Sequence, residues 1–250
     1  MRRLLVSLFF LSLTLGCGDD GHMTRAQLLD PESCKECHPK HFEEWQSSMH
    51  AYAGDDPIFL AMNRRGQRET NGALGDFCIK CHAPMALVEG VTTDGLNLEE
   101  VPQHLKGVTC YFCHTVKAVE GTHNNPLVLA DDLTMRGGIA DAVNNGVHKT
   151  MYSELHDRDS TESASLCGSC HDIKTDLVHL ERTFSEWKES VFVVPPFEQT
   201  CSNCHMRGSD DVVADFEGVK VRRRHSHSFP AVDTAIIEWP GKAEQLALIE

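Results

Sequence analysis

Five times the chain places two cysteines three positions apart with a histidine directly after: Cys34-Lys-Glu-Cys37-His38, Cys78-Ile-Lys-Cys81-His82, Cys110-Tyr-Phe-Cys113-His114, Cys167-Gly-Ser-Cys170-His171 and Cys201-Ser-Asn-Cys204-His205. C-x-x-C-H is the attachment signal for c-type haem. Its two thiols add across the two vinyl groups of one porphyrin, and the adjacent histidine becomes the proximal iron ligand. A lone C-x-x-C reads equally well as half a zinc knuckle or a redox pair. Five intact copies, with first cysteines 44, 32, 57 and 34 residues apart, do not. Zinc takes ligands in fours, and five Cys-Cys-His triplets divide badly into fours. The motifs therefore imply five covalently bound c-type haems, with His38, His82, His114, His171 and His205 on iron.

The chemistry constrains the scaffold. Of 11 cysteines, ten belong to the motifs and the other is Cys17, so no thiols are expected to remain for disulfides. The chain has 250 residues, enough for one or two domains. Apolar residues make up 41% and aromatics 7%, a modest supply for a core that porphyrins would complete. The expected fold class is mainly α with long loops, haem-cored, with little or no β-sheet. The net charge of −14 argues against nucleic acid and suits basic docking patches on redox partner proteins; surface acidity that only keeps the protein soluble explains it equally well.

In chain order, residues 1–16 read as a lipoprotein-type signal peptide. Arg2 and Arg3 form the positive region, Leu4 to Leu15 the apolar run, and Leu13-Thr-Leu-Gly-Cys17 the box that places lipid on Cys17. Export suits a chain whose haem is attached outside the cytoplasm. The expected location is the periplasm or outer surface, lipid-anchored to a membrane. Residues 17–30 read as a tether, 31–232 as a pentahaem domain and 233–250 as a C-terminal tail. Phe42, Trp45 and Met49 predict one amphipathic helix, ended by Asp55-Asp56-Pro57. A second copy follows later: Phe42-Glu-Glu-Trp45-Gln-Ser-Ser48 matches Phe184-Ser-Glu-Trp187-Lys-Glu-Ser190, and His50 is replaced by Phe192. Residues 63–76 predict a loop, and the stretch between the third and fourth motifs predicts short helices and loops. Arg222 to Arg224 suit either haem propionates or a solvated turn.

Fifteen histidines leave ten beyond the motifs, enough to supply a second axial ligand to every iron. His22, His41, His50, His104, His123, His148, His156, His179, His225 and His227 are the candidates, with Met49, Met85 and Met206 as rivals.

Several runs together resemble the multihaem cytochromes c grouped with cytochrome c-554 and hydroxylamine oxidoreductase. They are Cys34-x-x-Cys37-His38 with Trp45-x-x-Ser48-x-His50, Gly107-Val-Thr-Cys110, Cys167-Gly-Ser-Cys170-His171-Asp172, Cys204-His205-Met206 and His227-x-Phe229-Pro230. The resemblance covers about residues 30–232. It implies a mainly helical fold with haems in close stacked pairs, and His50, His148 and His227 as distal ligands. Ala231 departs from the usual Gly, and no proximal position carries the Lys of pentahaem nitrite reductases. The chain also stops soon after His227. That leaves one haem either without a sixth ligand or served by His104, His123, His156 or His179.

Two readings of function follow. The first is an electron carrier relaying electrons in an exported respiratory chain, with membrane-associated quinol or oxidoreductase complexes as partners. The second is an oxidoreductase acting on a small nitrogen or sulfur compound at one open iron, which needs acid/base groups that the sequence does not place. A structural subunit of a larger respiratory complex is a third possibility.

Overall fold

The structure is a computed structural model and describes residues 22–144 and 146–249. Cys17 and the proposed leader lie outside the described residues. Helices α1 (Arg25–Leu29), α2 (Pro39–Gln46), α3 (Met49–Tyr52), α4 (Pro57–Glu69), α5 (Ile79–His82), α6 (Pro84–Val88) and α7 (Cys110–Thr115) build the first half. The second half carries α8 (Ser163–Gly168), α9 (Thr183–Lys188), α10 (Cys201–His205) and α11 (Lys242–Ile249). Eight short strands, again among the described residues, form four separate two-stranded ribbons. The antiparallel ones are β1 (Val116–Val119) with β2 (Leu127–Leu129), β5 (Ile173–Lys174) with β6 (His179–Glu181), and β7 (Gly208–Val212) with β8 (Val221–His225). The fourth, β3 (Thr134–Gly137) with β4 (Lys149–Tyr152), is parallel.

These ribbons correct the expectation of little or no β-sheet: at 38% helix and 13% strand the chain is mixed. The stretch between the third and fourth motifs holds two of the ribbons where helices and loops were expected. Each ribbon is too small to stand alone and is fixed by what its ends hold. Residues 63–76 are also not one loop. α4 runs through Arg64, Arg65 and Arg68 to Glu69, starting at Pro57 behind an Asp56 side chain that accepts from Ile58 N–H. Its exposed charges pair along the helix, Arg65 with Glu69 at 3.1 Å.

The expected helix through Trp45 and Met49 is broken in two. Ser48 adopts extended backbone and its side chain accepts from Ala51 N–H, capping α3. The break turns His50 away from the α2 axis. The same device recurs where the sequence repeats: Ser190 accepts from Phe192 N–H at the start of a short 3₁₀ turn.

A single apolar cluster of Leu28, Leu29, Phe59, Ile79, Met85, Leu98, Leu105, Tyr111 and Phe112 anchors the first half. The second half buries far less: Ala164, Phe184 and Ala235 are its buried apolar side chains, while Phe192 and Phe197 are 45% and 61% exposed. Residues of the C-terminal stretch pack back on α2 and α3. Trp239 Nε1 donates to Gln46 O at 2.9 Å, and Gln245 reaches Ser47 O. No helix of the described residues is long and apolar enough to cross a membrane.

Candidate haem sites

Each motif closes one helical turn, which puts positions i, i+3 and i+4 on a single face. His38 N–H donates to Cys34 O at 2.8 Å, His82 N–H to Cys78 O at 3.2 Å and His171 N–H to Cys167 O at 3.0 Å. The third and fifth motifs form α7 and α10 outright, opened by Thr109 and Thr200. Nine motif thiols are free among the described residues.

Every motif histidine has an Nδ1 partner that can only accept, so the proton sits on Nδ1 and Nε2 is left as the donor to a metal. His38 donates to Val213 O at 2.8 Å, His82 to Ala53 O at 3.1 Å, His114 to Arg136 O at 2.5 Å and His205 to Pro230 O at 2.8 Å. His171 instead donates to the Glu181 carboxylate at 3.1 Å. Burial drives the His114 ring down to about 3, so it is neutral as a ligand must be.

Five further histidines lie beside motif histidines; His41 is edge-on to His38 at 5.9 Å, and three others are spaced as ligand pairs. His148 lies 6.2 Å from His38 between ring centres, His227 lies 6.4 Å from His114, and His50 lies 6.1 Å from His171. Metal–nitrogen bonds of about 2.0 Å, and a nitrogen about 1.1 Å from its ring centre, put two imidazoles on one metal roughly 6.2 Å apart. The three separations fit that figure. His156 approaches His114 more closely, at 5.5 Å, but its Nε2 is engaged by Cys113 O. His179 is held by Asp172 Oδ1 at 2.6 Å, and Asp172 in turn accepts from Ser185 N–H. His82 has a different ring neighbour: Phe59 stacks on it at 4.0 Å and 1°.

The supports for these rings come from distant segments. Gly107, at φ +69°, lies where a Cβ would meet His50 O at 2.6 Å and Ala51 O at 2.5 Å. Only glycine allows that approach, and Val108 N–H then donates to His50 O at 2.8 Å. Trp45 Nε1 donates to Val108 O at 2.8 Å. The repeat copies this docking: Trp187 Nε1 donates to Gln199 O at 2.8 Å, and Gln199 N–H donates to Phe192 O at 2.9 Å. Val108 and Gln199 each lie two residues before a motif.

The run from His227 to Pro230 serves three motifs. His227 faces His114, Phe229 packs edge-on to His50 at 4.4 Å, and Pro230 O holds His205. Phe229 has φ +46°, a strained conformation for a bulky side chain. Its anchor is Glu44, which accepts from His227 N–H at 2.9 Å and takes both terminal nitrogens of Arg224, at 2.7 and 2.6 Å. Arg222 pairs with Asp141 at 2.7 Å. Two of the three arginines in the basic run thus have carboxylate partners within the protein. Glu44 and Glu181 carried no sequence signal for these roles.

Thiols of different motifs also lie near one another: Cys34 near Cys110, Cys81 near Cys170, and Cys167 near Cys201. The first motif thus adjoins the third, while the fourth adjoins the second and the fifth.

The site fits haem on a further ground. Arg158 is buried, yet its Nε and Nη1 lack a hydrogen-bond partner, and its carbonyl accepts from Thr200 Oγ1 just before the fifth motif. Its Nε lies 3.7 Å from the exposed Asp159 carboxylate, and the unbonded donors suit a further anion such as a haem propionate. Zinc gains no support, because no three His, Cys, Asp or Glu side chains converge on a metal position among the described residues.

Neither the curated proteins nor the solved structures give a match to this chain. Residues 33–115, which hold the first three motifs, match the model of the family described as cytochrome c554 and c-prime, and over that stretch the chain is cytochrome c554-like.

Proposed function

We propose that the protein is a pentahaem electron carrier. The observation that carries this reading is the set of three facing histidine pairs at 6.1–6.4 Å, each joining a motif histidine to one from elsewhere in the chain. His148 would hold the iron of the first motif, His227 that of the third and His50 that of the fourth. The thioethers are those of Cys34, Cys37, Cys78, Cys81, Cys110, Cys113, Cys167, Cys170, Cys201 and Cys204. Haem would supply reversible one-electron chemistry, and a second imidazole at the first, third and fourth motifs would limit rearrangement between redox states. The protein's share is to hold those rings, to give each Nδ1–H an acceptor, and to cover porphyrin edges with side chains such as Phe192 and Phe197. Adjacent motifs let electrons pass from one site to the next.

The same reading includes export, lipid on Cys17 and partner proteins in a respiratory membrane, which rest on the leader and the acidic charge. A second reading, an oxidoreductase at one open iron, draws on His82, which has Phe59 beside it where three other motif histidines face an imidazole.

Two measurements test the proposal. Mass spectrometry of the mature protein shows five haem additions, and four or fewer refute it. A dye-linked assay with nitrite, hydroxylamine and sulfite shows no turnover at enzymatic rates of about 1 per second or more. Turnover at such rates with any of them would establish the oxidoreductase reading instead.

A further inference from the structure

Four motif histidines give their Nδ1–H to main-chain carbonyls, and one gives it to a carboxylate. Glu181 is placed for this by the β5–β6 ribbon, in which it pairs with Ile173, two residues past His171. The neighbouring acid cannot substitute for it, because Asp172 is committed to His179 and to Ser185 N–H. Glu181 has no cation at salt-bridge distance other than the His171 ring itself, among the described residues.

We propose that Glu181 is a positioning residue that lowers the reduction potential of the haem on the fourth motif, below what a carbonyl partner would give. This rests on the pentahaem reading. A carboxylate draws the Nδ1 proton more strongly than a neutral carbonyl does, so the ring becomes a more basic iron ligand. A stronger donor with a nearby negative charge favours ferric over ferrous iron, and both effects act in the same direction. The location gives the effect its use. The fourth motif neighbours the second through Cys170 and Cys81 and the fifth through Cys167 and Cys201. It is therefore a junction, and Glu181 makes that junction hold an electron less firmly than a carbonyl partner would.

The test is a redox titration of the five-haem protein followed by low-temperature EPR. It compares wild type with Glu181→Gln, which keeps the side-chain shape and removes the charge, and with Glu181→Ala. His50→Ala identifies the signal of the fourth haem, which becomes high-spin. Glu186→Gln, an equal charge change at an exposed position on α9, is the control. The expected result is an upward shift of one midpoint potential in both Glu181 variants, that of the fourth haem, with the other four unmoved and the control unchanged. Unaltered potentials in Glu181→Gln overturn the proposal, as does an equal shift in Glu186→Gln. Loss of haem from the fourth motif in both Glu181 variants replaces tuning with a purely structural role and also overturns it. A wild-type haem count below five would strike the pentahaem reading itself, and mass spectrometry before titration separates the two failures.

Discussion

His50 and Phe192 occupy the same place in two copies of one unit. Each lies two residues past a serine that caps a short turn, and each offers its carbonyl to the residue two before a motif, at 2.8 and 2.9 Å. One side chain faces the ring of His171, and the other is exposed. The scaffold is shared and the ligand is not. His50→Ala should therefore convert one low-spin haem to high spin in EPR, and Phe192→Ala should leave every spin state unaltered. An unchanged spectrum in the His50 variant would remove it from the ligand set.

The tryptophan bonds of the repeat can be tested for strength. Trp45→Phe and Trp187→Phe keep most of the ring and remove the donor to Val108 O or Gln199 O. Each should cost about 1 kcal/mol in denaturant unfolding. The two effects should add if the units act independently.

Glu44 and Arg224 form a buried pair, with Arg224 9% and Glu44 21% exposed. Removing one partner strands the other's charge, so Arg224→Ala should destabilise by about 3 kcal/mol. Because Glu44 also holds His227 N–H, the third haem should turn partly high-spin in the same variant. Stability loss with intact low-spin signals would separate the ion pair from the ligand.

Gly107→Ala should be more severe than its size suggests. The new methyl meets two carbonyl oxygens, and the residue must keep φ +69°. A cost of at least about 1–3 kcal/mol is expected, together with the high-spin signature of a displaced His50. Gly72 has a similar φ of +82° but nothing within 4 Å, so Gly72→Ala should show the backbone cost alone and leave the spectrum unchanged.

Acid should act through Asp132. Hydrogen bonds from the Arg136 guanidinium hold this carboxyl at about 2, against 3.8 without them. The folded value lies below the unfolded one, so the contribution to stability is present above about pH 4 and is lost as pH falls toward 2. The carboxyl is half exposed, so solvent screening limits the effect to about 1 kcal/mol or less. Asp132→Asn should match wild type below pH 2 and be the less stable protein at pH 6.

The motifs were legible because covalent haem attachment fixes residue types at fixed spacing, and a single helical turn satisfies it whatever surrounds it. The Trp-x-x-Ser repeat was legible for a similar reason: donor, cap and turn are all local. The ribbons were not. β3 and β4 carry no clean alternation of apolar and polar residues, and their pairing is set by where Arg136 O must meet His114. Glu44, Arg158 and Glu181 act on residues that only the fold brings near, so their roles have no spacing to read. The helix through Arg64 and Arg65 was missed because its charges suggested solvent, whereas its Asp56 cap and Pro57 start were the better signal.

Of the five motif histidines, that of the first motif waits longest in a growing chain for its Nδ1 acceptor. His38 is made early, yet its Nδ1 acceptor is Val213, 175 residues later, and the ring facing it belongs to His148. A chain emerging from its amino end must keep Cys34 and Cys37 reduced, extended and accessible while most of the protein has yet to appear. Haem joined there early would wait first for His148 and then for Val213. Order of synthesis and order of completion thus differ, and a haem joined early at the first motif would need delay or shelter until the segment after β7 supplies Val213.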